Sequence, residues 1–125
     1  MRRILAVAVV ALLVPAVALA TGWKIIGQGK ANGKFTVAAA SGTAIRPTGI
    51  QMKVTASPNI RTAADYSIQC RKGTRKKKGT GKAGGRTPIT KQVVLPIAHP
   101  DSCVVVASAT LPSTTKMTVT IFARR

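Results

Sequence analysis

Hydrophobic and polar residues alternate along most of the chain after residue 21, with a period of two residues. Such alternation is typical of half-buried β-strands, because successive side chains of a strand point to opposite faces of a sheet. The clearest runs, rich in β-branched residues, are 50–57, 65–70, 102–110 and 117–123, and weaker ones are 23–28, 34–40 and 89–95. Turn-forming residues separate them, at 31–33, 46–49, 57–59, 96–100 and 112–113.

Seven short strands in about a hundred residues predict an all-β fold. We expect a single small antiparallel β-sandwich, immunoglobulin-like or fibronectin-like in its strand count and spacing. The Cys…Trp…Cys order of antibody domains is absent, because Trp23 precedes both cysteines. Trp23 is therefore expected to anchor the first strand, at a sheet edge or in the core, rather than to bind a ligand.

The first twenty residues have the organisation of an export signal. Arg2 and Arg3 precede an unbroken apolar run at 4–13, and the small residues Ala18 and Ala20 mark a cleavage site. The run is shorter than the roughly 20 apolar residues that span a bilayer. We expect a cleavable signal peptide at 1–20, a mature domain at 21–125 that is secreted or attached to the cell surface, and no transmembrane segment after cleavage. The alternative is an uncleaved segment that tethers the domain to the membrane.

The chain is strongly basic. Its 20 Lys and Arg residues stand against 2 acidic residues, Asp65 and Asp101, for a formal net charge of +18. Without Arg2 and Arg3 the mature part carries +16. Such a charge attracts anionic partners. The alternative is a general bias in surface charge that serves solubility.

Cys70 and Cys103 are the only cysteines. In an exported chain a single pair predicts one disulfide, because the compartment is oxidising. Cys70 ends one predicted strand and Cys103 begins another. If the two strands are antiparallel neighbours in one sheet, residue 68 lies opposite 105 and residue 66 opposite 107, and all six side chains share the inner face.

Half of the sixteen residues at 71–86 are basic and five are glycine. Glycine and like charges both oppose packing, so we expect a mobile, solvated loop that extends as a hairpin excursion. Because a basic segment binds polyanions by releasing counterions, we predict weak binding of anionic polymers or surfaces. Candidates are wall polymers, polyphosphate, anionic lipid headgroups, sulfated glycans and extracellular DNA. The residues expected to bind are Arg71, Lys72, Arg75, Lys76, Lys77, Lys78, Lys82 and Arg86.

Sequence-specific recognition of nucleic acid is not expected, because the loop has no aromatic residue on which a base could stack. A further alternative is that the loop is only a solvated tip. The domain would then be a structural or protein-interaction sandwich, with an unknown protein partner on the outward apolar residues Val104, Val106 and Phe122.

Enzymatic function is not predicted. General acid–base catalysis needs a titratable pair at a suitable distance, whereas Asp65 and Asp101 are expected at opposite ends of one strand pair. His99 and Asp101 lie in a proline-rich turn without the Gly-x-Ser-x-Gly motif of a nucleophile elbow. One histidine and two distant cysteines do not form a zinc site, so we expect no catalytic residue, no metal and no cofactor. The overall prediction is an exported, non-catalytic binding or adhesion module.

Overall fold

A computed structural model describes residues 22–33, 36–111 and 115–125. The predicted signal peptide, the first two residues of the 34–40 run and the predicted turn at 112–113 lie outside these residues. The strands are β1 Trp23–Asn32, β2 Thr36–Ile45, β3 Gly49–Ser57, β4 Arg61–Lys72, β5 Arg75–Arg86, β6 Ile89–Val93, β7 Ser102–Leu111 and β8 Lys116–Arg124. Within the described part, no helix is long and apolar enough to cross a membrane.

The strands form two four-stranded antiparallel sheets that pack as a sandwich, which confirms the predicted fold class. We name them sheet I, in the order β1-β8-β3-β6, and sheet II, in the order β2-β7-β4-β5. These two strand orders, facing each other, are those of a jelly roll. The described residues thus form eight strands where the sequence predicted seven, and their connectivity differs from that of an immunoglobulin domain.

The seven strands predicted from alternation are all present, and the alternation separates core from surface as expected. On β3, for example, Ile50, Met52 and Val54 are fully buried, whereas the neighbouring Lys53 is exposed. The core is built from such inward positions of both sheets. Trp23 lies on β1, an edge strand of sheet I, where its ring packs above Gly49 and under the Arg124 guanidinium, 4.8 Å from the ring centroid.

The predicted disulfide and its register are confirmed. Cys70 on β4 is bonded to Cys103 on β7, and their Cα atoms are 4.0 Å apart. Tyr66 lies opposite Ala107 and Ile68 opposite Val105, as the disulfide register required. All six side chains of this ladder are buried in the core. The bond therefore joins adjacent strands within sheet II.

The prediction of a mobile loop at 71–86 is wrong. Residues 71 and 72 complete β4, Gly73 and Thr74 form a turn, and the rest is β5, which pairs with β4 along its whole length. The glycines of β5 explain the difference. A side chain at Gly81 would collide with the Tyr66 ring, and one at Gly79 would contact Ile68. These positions are small because β4 side chains cover them, so the glycines support packing rather than disorder.

Candidate functional site

A groove crosses the outer face of sheet II, the face opposite the core. It has a volume of about 610 Å³ and is lined mainly by outward side chains of β7, β4 and β5. Strand register arranges these side chains as three rows of three: Ser102, Arg71 and Lys76; Val104, Gln69 and Lys78; Val106, Ser67 and Thr80. We call the space above these nine residues the cationic groove.

The chemistry of the cationic groove changes from one strand to the next. The β7 side is apolar, with Val104 and Val106 exposed by 49% and 44%. The middle strand β4 presents hydroxyl and amide groups beside Arg71, and β5 forms a rim with Lys76 and Lys78. Because two residues of a strand span about 7 Å, the two lysines of the rim are close enough to contact one polymer segment together.

The only two carboxylate side chains of the protein lie beyond opposite ends of the cationic groove. Asp65 is one row past Ser67 on β4, and its Oδ1 accepts a hydrogen bond of 2.9 Å from Ser108 Oγ. Asp101 lies past the other end, next to the β4–β5 turn. Asp65 and Arg71 are six positions apart on β4, about 20 Å of strand. No acidic residue lines the groove itself.

Asp101 holds the tip of the basic hairpin. Its Oδ2 accepts a hydrogen bond of 2.7 Å from the Gly73 N–H, and its own N–H donates to the Arg71 carbonyl at 2.7 Å. The Asp101 carbonyl accepts from Arg46 N–H at 2.9 Å. The Asp101 carboxylate thus fixes a turn that is distant from it in sequence, and with it the end of β5 that carries Lys76.

The eight predicted polyanion-binding residues do not form one cluster. Arg71, Lys76 and Lys78 line the groove. Lys82 lies on the same face in the next row, opposite Asp65. The other four lie outside the groove: Lys72 and Arg75 flank the turn, Lys77 is opposite Cys70 on the other face of the sheet, and Arg86 lies on the outer face but at the far end of β5, opposite Arg61.

Sequence reasoning missed the neutral residues of the groove, which are Ser67, Gln69, Thr80 and Ser102. Within the described part of the chain, their side chains make no hydrogen bond to protein, whereas Ser108, farther along the same face, donates a hydrogen bond to Asp65. The predicted pairing of 70 with 103 already placed Ser67 and Gln69 on one outer face with Val104 and Val106. The position of β5 was the missing information.

The three outward apolar residues also lie in different places in the structure. Val104 and Val106 form the floor of the groove, as their outward orientation predicted. Phe122 lies on β8 in sheet I, next to Ile25 and Gln51 on the other side of the sandwich. The three residues therefore do not form a common apolar patch.

No protein-family model matches the chain, and no curated protein matches its sequence. Among solved structures, the enzymatically active domain of tailspike protein 4 of bacteriophage CBA120 is 10% identical, with a TM-score of 0.40, over 82% of this chain and 19% of that chain. A family 61 carbohydrate-binding module in complex with β-1,4-galactotriose is 8% identical, with a TM-score of 0.34, over 86% of this chain and 94% of that one.

A third solved structure is the N-terminal part of endo-1,4-β-D-xylanase 10B of Clostridium thermocellum with xylohexaose. It is 12% identical, with a TM-score of 0.39, over 83% of this chain and 26% of that chain. The present chain thus spans less than a third of the xylanase and tailspike chains. At these values, none of the three structures assigns a ligand to this protein.

Proposed function

We propose that this protein is a non-catalytic module that binds anionic polymers outside the cytosol, in the cationic groove. The observation that carries the proposal is the convergence of Arg71, Lys76 and Lys78 on one groove that no carboxylate lines. The disulfide between Cys70 and Cys103 supports the location, because such bonds persist in oxidising compartments.

The binding energy comes mainly from counterion release. A linear polyanion condenses small cations along its length, and each phosphate or carboxylate neutralised by Lys or Arg sets such ions free. This contribution depends on the charge density of the polymer and falls steeply with salt. It requires no chemistry from the protein beyond fixed positive charges, which the strands β4 and β5 provide.

The site is local even though the whole protein is basic. Sandwich sheets pack about 10 Å apart, and charges are screened over about 8 Å at physiological ionic strength. Charges on sheet I, such as Lys53 on β3 and Lys30 on β1, therefore add little to binding in the groove once salt is present. The five remaining cations of the hairpin segment 71–86 attract the polymer at longer range but do not line the site.

The test compares two variants with the same net charge. One carries Arg71→Gln, Lys76→Gln and Lys78→Gln in the groove, and the other carries Lys24→Gln, Lys30→Gln and Lys53→Gln on β1 and β3. Affinity for inorganic polyphosphate is measured across a salt series. For the groove variant we expect the slope of the log association constant against log salt concentration to become smaller in magnitude by about 2, because each of the three lost contacts contributes about 0.7.

The control variant is expected to keep the parental slope, with only a small loss of affinity at low salt. If the two variants bind polyphosphate equally, the attraction is spread over the whole surface and the cationic groove is not the site.

A further inference from the structure

We infer that the polymer recognised by the cationic groove is an anionic polysaccharide, one that carries a carboxylate or sulfate on its sugar units. This inference rests on the proposed function and specifies the ligand class of the same site. It follows from the residues that line the groove besides its cations.

The apolar floor is the first observation. Val104 and Val106 stay about half exposed on a central strand of sheet II, in register with Gln69 and Ser67. Inorganic polyphosphate presents only charged oxygens, so it would leave this surface without a complementary partner. A sugar ring has C–H faces that can cover the valines, while its substituents point sideways toward the neighbouring strands.

The neutral polar side chains are the second observation. Ser67 and Gln69 lie beside the valines on β4, Ser102 is one row away on β7 and Thr80 is on β5. In the described residues none of these side chains is bonded to protein. Hydroxyl and amide groups both donate and accept hydrogen bonds, as sugar hydroxyls do. The groove therefore matches three features of an acidic sugar in order across the sheet: apolar faces over β7, hydroxyls over β4 and the anion over β5.

The position of the aromatic residues argues against single-stranded nucleic acid. Binding of single strands uses aromatic side chains on which bases stack. Among the described residues, Trp23 and Phe122 belong to sheet I and Tyr66 points into the core, so no aromatic side chain lines the groove.

The experiment measures binding of the full chain to three polyanions at about 0.15 M ionic strength. Polygalacturonate is the acidic polysaccharide, its methyl ester is the same polymer without charge, and polyglutamate has the carboxylates without the sugar rings. Polyphosphate completes the panel. We expect polygalacturonate to bind most tightly, and its methyl ester to bind at least about tenfold more weakly because the counterion contribution is lost.

The decisive variant is Val104→Ser with Val106→Ser. Its matched control is Val37→Ser with Val94→Ser, two exposed valines outside the groove. We expect the groove variant to bind polygalacturonate about tenfold more weakly, since apolar surface that the sugar covers is removed. Its affinity for polyphosphate should change less than twofold, and the control should match the parent with both polymers.

The outcomes separate the two proposals. One set of results would overturn the polysaccharide assignment and leave the groove as a general polyanion site. In it, all three polyanions bind with equal affinity and the valine variant has no effect, but the variant of Arg71, Lys76 and Lys78 loses affinity. Tighter binding of polyglutamate than of polygalacturonate also overturns it, and so does tighter binding of single-stranded DNA measured under the same conditions. If the groove variant and the equal-charge variant on β1 and β3 behave alike with every polymer, the proposed function itself is wrong.

Discussion

The two lateral edges of the sandwich are built in opposite ways. On one side, β1 of sheet I and β2 of sheet II come so close that Gly27, Gly29 and Gly42 have no room for a Cβ atom, because the backbone of the facing strand occupies it. On the other side, β5 is paired with β4 alone, and every residue from 71 to 78 is exposed. One edge closes the sandwich and the other leaves a long cationic strand at the surface.

This difference shows that glycine has different roles at the two edges. At the closed edge, glycine allows two backbones to touch. On β5, Gly79 and Gly81 receive the side chains of β4, while Gly84 has no close neighbour except the Thr62 carbonyl, 3.8 Å from where its Cβ would be. The closed edge should therefore govern stability, and the open edge should govern binding. Substitutions at the two edges and in the groove test this division.

The disulfide between the two central strands of sheet II, which belongs to neither edge, should have the largest effect on stability. Replacing both cysteines, Cys70→Ala with Cys103→Ala, removes a cross-link over 33 residues. On the chain-entropy estimate, the free energy of unfolding should fall by about 3–4 kcal/mol. Denaturant unfolding of the variant and of the parent measures the loss. Affinity for polyanions, measured where both proteins are folded, should stay within about twofold because the β-ladder itself remains. A large loss of affinity in folded protein would show that the bond also shapes the groove.

A pair of alanine substitutions compares the two edges directly. Gly29→Ala places a methyl group against the Ala39 carbonyl at the closed edge. We expect the free energy of unfolding to fall by about 2–3 kcal/mol, since the backbones must move apart. Gly84→Ala on β5 makes only an ordinary contact with the Thr62 carbonyl, at 3.8 Å, and should change stability by less than about 0.5 kcal/mol. Thermal unfolding of the two variants measures both effects, and equal losses of stability would show that the two edges do not differ in this way.

The same contrast explains which parts of the structure could be predicted from sequence. The pairing of β4 with β7 could be predicted, because a disulfide fixes one position and alternation then fixes every other residue of the ladder. Strand β5 was missed because glycine and lysine were both interpreted as signs of a mobile loop. The signal was present in the alternation of Gly79, Gly81 and Ala83 with Lys78, Thr80 and Lys82, but small residues on an inner face do not look hydrophobic.

The groove could be predicted only in part, for a topological reason. Its cations and its valines were both identified in the sequence, but as features of two competing hypotheses. They belong to one site because β4 lies between β5 and β7 in sheet II. Strand order is set by long-range packing and is not encoded in the local pattern of any one strand.

Loss of the Asp101 carboxylate should loosen the hairpin tip at the open edge and lower the free energy of unfolding moderately. Asp101→Ala removes the acceptor of the Gly73 N–H, and we expect the free energy of unfolding to fall by about 1 kcal/mol. Hydrogen exchange at the Gly73 amide should accelerate strongly, because its partner is gone. Asp101→Asn keeps an acceptor oxygen and should restore most of the protection. Unchanged exchange in Asp101→Ala would mean that the hairpin tip holds its shape without this contact.

The smallest effect concerns Asp65, which limits the groove at the end opposite Asp101. Its charge lies on the same outer face, one row beyond Ser67 and Thr80, and it repels an anionic chain that extends along the strands. At about 10 Å in water, the repulsion is about 0.4 kcal/mol. Asp65→Asn should therefore raise the affinity for polygalacturonate about twofold at low salt, and the gain should vanish at high salt because of screening.

The substitution keeps an oxygen that can accept a hydrogen bond from the Ser108 hydroxyl, so the free energy of unfolding serves as the control and should not change. A gain that persists at high salt would contradict the electrostatic cause, and no gain at low salt would mean that the bound polymer crosses the strands instead of following them.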